Sequence, residues 1–158
     1  MKSLIAAVAL NSVIGYQGGL PWDIPEDRIH FRNTTLGKVV VMGRLTYESI
    51  PKKEGICLPE RQIVVLTRNP NFDTTANNVT CARTLSEAIE AYGHRDIVVA
   101  GGAKIYEEAL PLVEAMYITH VEQRPLGDTF FPEVNWAEWI KTSTIFGSGF
   151  KFCSYRRK

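Results

Sequence analysis

The chain has 158 residues, 45% of them hydrophobic and 22% charged, with a formal net charge of +1. That length suits one ordinary domain with a substantial core, and the composition is that of a soluble globular protein. The near-neutral balance excludes a dedicated nucleic-acid binder, and no apolar stretch approaches the ~20 residues of a membrane span.

Met1-Lys2-Ser3 followed by Leu4 to Leu10 faintly imitates a signal peptide. Asn11-Ser12-Val13-Ile14-Gly15 stands where a small-residue cleavage pattern belongs, so the run reads as a buried strand. The connection from Asn11 to Ile24 carries Gly15, Gly18 and Gly19 and ends on Leu20-Pro21-Trp22. Connections of this kind usually take about 2–6 residues, which leaves a binding loop or a surface loop with a packed tryptophan.

A helix is expected over 25–35, with Pro25 at its first position and Glu26 and Asp27 in its first turn. Carboxylates there often do no more than face the positive end of the helix dipole. Yet Ile24, Asp27, Arg28 and Phe31 fall at i, i+3, i+4 and i+7, the stripe expected to face the core. An acid on that stripe needs a partner, and a ligand with two adjacent N–H donors would serve.

Val39 to Met42 reads as a strand, followed by Gly43-Arg44-Leu45-Thr46 and a helix over 44–50. A strand from Ile63 to Leu66 ends on Thr67-Arg68. The helix over 84–92 opens with Thr84-x-x-Glu87, a capping-box spacing, and Gly93 closes it. The strand Ile97 to Ala100 runs into Gly101-Gly102 and a helix over 103–110, and Tyr117 to Val121 is a further strand. Gly147-Ser148-Gly149 reads as a turn before the alternating segment Phe150 to Tyr155, so antiparallel strands should finish the sheet. Strand–helix alternation makes residues 1–158 one α/β domain with mostly parallel pairing.

Neither the G-x-G-x-x-G dinucleotide fingerprint nor a P-loop is present. Instead three strand ends bear glycine, hydroxyl or arginine, the pattern for an extended anionic ligand across the carboxyl edge of a sheet. Arg44 and Arg68 are the candidates for a phosphate group there. His30, His94 and His120 show no metal spacing, and no hydrolase motif is present. Cys57, Cys81 and Cys153, odd in number and far apart, read as reduced thiols of a cytoplasmic protein.

Taken in order, these segments resemble the dihydrofolate reductase family. The motifs are Ile5-Ala6-Ala7, Val13-Ile14-Gly15, Leu20-Pro21-Trp22, Pro25-x-Asp27 with Phe31, and Val41-Met42-Gly43-Arg44-x-Thr46-x-Glu48-Ser49-Ile50. Leu58-Pro59-x-Arg61, Gly101-Gly102-x-x-Ile105-Tyr106, Thr119-His120 and Gly127-Asp128-Thr129-x-Phe131-Pro132 complete them. Each is weak alone, but their joint order is specific.

The resemblance implies an eight-stranded, mostly parallel sheet with an antiparallel last strand and four flanking helices. It implies a monomeric, NADPH-dependent enzyme that reduces dihydrofolate and binds antifolate inhibitors. Asp27 would be the one acid of the pterin site, assisted by Trp22, Leu20 and Thr119. Ile5, Ala7, Leu20, Phe31, Ile50 and Leu58 would wall the substrate, and Arg61 would grip the carboxylate of its glutamate tail. The cofactor would lie along Gly43, Arg44, Leu45, Thr46, Leu66, Thr67, Arg68 and Arg83. It would continue along a cis-linked Gly101-Gly102 with Ala103, Lys104 and Ile105, its nicotinamide among Ala7, Ile14, Leu20 and Tyr106.

The sequence departs from the family pattern at Arg28, where an apolar residue is usual, at His30, where bacterial members carry an aromatic, and in a longer stretch Pro51 to Cys57. Ala103 replaces a third glycine. Arg28 has two readings: a stem that packs while its head reaches solvent, or a cation beside Arg61 that favours tailed substrates and disfavours small diaminopyrimidine inhibitors. A pyrimidine reductase of riboflavin synthesis shares fold and cofactor, but its substrate phosphate calls for other groups than Asp27 and Arg61. A catalytically silent relative would be expected to lack Asp27, the glycine pair or Arg44, and all are present.

Overall fold

The computed structural model describes residues 1–51, 58–74 and 76–158. In chain order the elements are β1 (Lys2–Ala9), β2 (Val13–Gly15), α1 (Pro25–Thr35), β3 (Val39–Gly43), α2 (Arg44–Ser49), β4 (Gln62–Leu66), β5 (Val79–Ala82) and α3 (Leu85–Tyr92). They continue with β6 (Ile97–Val99), α4 (Ala103–Ala109), β7 (Ala115–Val121), β8 (Thr129–Phe130), a 3-10 turn (Trp136–Glu138), β9 (Trp139–Phe146) and β10 (Phe150–Arg157). The four helices fall within a residue of their expected ends.

Eight strands form one sheet in the order β5-β4-β3-β6-β1-β7-β10-β9, while β2 and β8 pair separately. Strands β1, β3, β4, β5, β6 and β7 join in parallel, and β10 is antiparallel to both its neighbours. The expected architecture is therefore the observed one. From β1 the chain runs outward to β3, β4 and β5, returns to insert β6 beside β1, and then adds β7 on the other side. The carboxyl ends of β1, β3 and β6 consequently flank a crevice of the kind that holds ligands in open α/β sheets.

Period-two alternation divides the inner strands between two cores. Val39, Val41, Val64 and Leu4 pack with Leu85 and Ala88 of α3 and Tyr106 and Ala109 of α4. Val40, Met42, Ile63 and Val65 face the other way, against Phe31 of α1, Tyr47 of α2, Ile50 and Leu58. A smaller cluster of Ala9, Val13, Trp22 and Val121, with Ala7 and Ile24 against it, supports the loop after β1.

Thr84 accepts from the Glu87 main-chain N–H at 3.1 Å, as the capping box requires. The Glu87 carboxylate reaches one residue further back than that motif specifies, accepting from the Arg83 N–H at 2.8 Å. The hairpin turn at 147–149 is present, with Gly149 at φ +80° and the Gly147 N–H donating to the Phe150 carbonyl. Cys81 and Cys153 are free thiols; Cys57 and most of the longer 51–57 stretch lie outside the described residues.

Candidate active site

Asp27 occupies the first turn of α1, and its main-chain N–H donates to the carbonyl of Ile24. Its side chain turns toward the sheet, where the buried Thr119 of β7 donates its hydroxyl to Oδ1 at 2.6 Å. Burial pushes the Asp27 carboxyl above its ordinary range; the Thr119 hydrogen bond and His30 act in the opposite direction. No salt bridge neutralises it among the described residues. His30, one helical turn on, is half-buried and stacks on Phe152 of β10 with ring centroids 4.1 Å apart and planes 15° from parallel. Burial lowers the proton affinity of its imidazole, and Asp27 partly restores it. Phe152 is the ladder partner of Thr119, so acid, hydroxyl and imidazole belong to one cluster. Trp22 is buried, and its Nε1–H has no hydrogen-bond partner among the described residues, a donor that a ligand or ordered water can satisfy.

At the carboxyl ends of β3 and β6 the two strand–helix junctions meet. The Gly43 N–H donates to the Gly101 carbonyl at 2.9 Å, and the Gly101–Gly102 peptide is cis. Gly101 has φ +109°, and a Cβ there would stand 3.1 Å from the Tyr106 ring. A side chain there would take a strained backbone conformation and press on that ring, which favours glycine. The buried Tyr106 donates its hydroxyl to the Ile5 carbonyl of β1 at 2.7 Å, and burial pushes its pKa far up. Beyond β4 and β5 a cavity of about 280 Å³ is lined by Thr67, Arg68, Asn69, Cys81, Ala82 and Arg83, among others.

The family model described as dihydrofolate reductase matches residues 1–155. The chain belongs to the dihydrofolate reductase family. It is 41% identical to dihydrofolate reductase HdrB of Haloferax volcanii, over 98% of this chain and 82% of that protein. It is likewise 41% identical to dihydrofolate reductase type 3 of Salmonella typhimurium, over 86% of this chain and 83% of that one. Among solved structures it is similar to a dihydrofolate reductase from Enterococcus faecalis complexed with NADP(H) and RAB-propyl. That likeness has a TM-score of 0.87 and 30% identity, covering 99% of this chain and 96% of the other.

Of the residues expected to wall the substrate, Ile5, Ala7, Phe31, Ile50 and Leu58 are buried or half-buried, whereas Leu20 is 61% exposed. Arg61 is 5% exposed and is held against the end of α1. Arg28 departs from the expectation for the buried stripe. Its side chain is 64% exposed and paired with Asp23, a partner five residues away that lets the guanidinium stay in water. The three arginines expected along the cofactor, Arg44, Arg68 and Arg83, stand in two places. Arg68 shares its cavity with Arg83, while Arg44 lies outside it and holds both carboxylate oxygens of Glu48 at 3.0 Å. Leu45 and Lys104 are exposed, and Gly102, Ala103, Ile105 and Thr46 half-buried, around the glycine junctions, while Ile14 is half-buried on β2.

Three residues escaped the sequence-based list. Asp128 latches the loop after β1, accepting from the Gln17 N–H at 3.0 Å while its own N–H donates to the Gly15 carbonyl at 3.1 Å. His30 was visible only as a departure from pattern, and Thr35 gave no signal beyond ending a helix. His120 is structural, hydrogen-bonded to Tyr155 and packed near Trp136. Among the described residues no cluster of His, Cys, Asp or Glu forms a metal site, and no helix is long and apolar enough to cross a membrane.

Proposed function

We propose that residues 1–158 form one reductase domain, a cytoplasmic monomer that reduces 7,8-dihydrofolate to 5,6,7,8-tetrahydrofolate at the expense of NADPH. The observation that carries this reading is Asp27, a lone half-buried carboxylate whose one described side-chain partner is the neutral hydroxyl of Thr119. It suits the N3 and 2-amino donors of a pterin ring, which satisfy it without a counter-ion. A diaminopyrimidine antifolate offers a similar donor pair.

The residues also fit the cofactor. The half-buried Gly102 adds no side chain at the cis-linked strand–helix junction, where a flat group can lie against backbone, and Arg68 and Arg83 offer two cations to a phosphate-bearing end in a cavity that Glu87 also lines. When bound, NADPH supplies the hydride for C6 of the pterin. The protein's own residues fix the geometry and the charge. Ile5, Ala7, Phe31, Ile50 and Leu58 hold the substrate and exclude bulk water; Arg61 grips the tail carboxylate. Asp27 acts at N5 through its field, favouring protonation there by way of water admitted near Leu20, with Trp22 Nε1 holding an ordered water beside the acid. Oxidation of NADPH should then require dihydrofolate and fall by about a hundredfold or more in Asp27→Asn at neutral pH, the range of a lost general acid–base group. NADPH oxidation independent of dihydrofolate would refute the assignment.

A further inference from the structure

Thr35 is fully buried at the last turn of α1 and does two things with one hydroxyl. It donates to the Phe31 carbonyl at 2.8 Å and accepts from Arg61 Nε–H at 2.7 Å. Arg61 Nη2 donates to the Arg32 carbonyl at 2.9 Å, and Nη1 to the Pro59 carbonyl. The Nε–Nη2 edge of the guanidinium thus closes the end of α1, where helix carbonyls lack intrahelical partners and the dipole is negative.

We propose that Thr35 is the positioning residue for the tail-carboxylate site, fixing the plane in which Arg61 meets an α-carboxylate. The inference rests on the assignment of Arg61 given above. It makes α1 a ruler for the substrate. Asp27 marks one end, and Thr35, eight residues and about 12 Å along the axis at 1.5 Å per residue, marks the other. Because both ends of the site hang on one rigid element, a ligand spanning them is selected by its length as well as by its two polar groups. The described hydrogen bonds of the Thr35 hydroxyl go to Phe31, Arg32 and Arg61 and none to the glycine junction, so its influence should be confined to molecules that carry the tail.

The test compares dihydrofolate with a reduced pterin lacking the benzoyl-glutamate tail, in the full chain with NADPH. Thr35→Val keeps the shape and removes the hydroxyl. It should raise KM for dihydrofolate about tenfold, the effect of an unpaired buried donor, with kcat and the KM of the tail-less pterin within about twofold. Thr35→Ser, which keeps the hydroxyl, should restore the wild-type KM. Arg61→Ala should abolish the preference for the tailed substrate. A Thr35→Val effect that is absent, or equal for both substrates, overturns the proposal, as does a serine variant that behaves like valine. An Arg61→Ala variant that keeps the preference removes the assignment of Arg61 and this inference with it.

Discussion

At the Asp27 end of the crevice one charge is withdrawn from water between α1 and β7 and bonded to a neutral hydroxyl. At the ends of β4 and β5 two exposed arginines, Arg68 and Arg83, share the lining of an open cavity with the exposed carboxylate of Glu87. The difference is dielectric. A half-buried carboxylate acts strongly on what lies beside it and is itself strongly perturbed, so one residue can control the chemistry. Exposed arginines act through screened, roughly additive contacts, which suits recognition of a phosphate and makes it salt-dependent.

The largest effect expected from this contrast is at Asp27. Asp27→Asn should lose turnover at neutral pH and regain part of it in acid, where the substrate becomes protonated without help; loss that is equal at every pH would make the acid merely structural. Stability should move the other way. With a native pKa above the ordinary 3.8, the folded state binds more protons than the unfolded state between those two values. Stability therefore falls as pH rises through that window, and ionised Asp27 is a cost at neutral pH. The asparagine variant should melt no lower than wild type, which a thermal scan at two pH values will show.

Next in size is cofactor choice. Charge-assisted hydrogen bonds contribute roughly 1.5–3 kcal/mol each, so Arg68→Ala and Arg83→Ala should each cost about tenfold or more in preference for NADPH over NADH. Arg44→Ala should cost far less, because Glu48 already occupies its guanidinium. The ratio of kcat/KM values for the two cofactors, taken at low and high salt, checks this. A larger loss from Arg44 than from the pair would move the phosphate site to α2.

The smallest effect concerns His30. Asp27 supports the charged imidazole, so Asp27→Asn should lower the pH at which His30 titrates, followed by NMR of its ring protons. An unmoved titration would separate His30 from the acid and leave it as a packing partner of Phe152.

The parallel strands were legible because burial on both faces writes a continuous apolar run, as at Val39 to Met42, where every residue is inaccessible. β5 and β9 were not, since each buries a single residue, Val79 and Trp139, and an exposed edge imposes no pattern. β2 and β8 are too short to carry any period. In the site, Asp27 could be singled out because an acid on an apolar stripe is anomalous by itself. The parts played by Thr35, His30 and Asp128 depend on Arg61, Phe152 and Gln17, partners brought near only by folding. Arg28 misled for a different reason: its partner Asp23 is local, but helical spacing alone points the side chain inward.

The central claim, that burial rather than a counter-ion sets the charge of the single acid in the pterin site, is tested most directly by titrating Asp27. Carbon NMR of carboxyl-labelled aspartate in the intact protein, assigned by comparison with Asp27→Asn, follows that one group. The account predicts a midpoint above the ordinary aspartate range that rises further when Thr119→Val removes the hydroxyl. A midpoint at or below 3.8, or one unmoved by Thr119→Val, would contradict it.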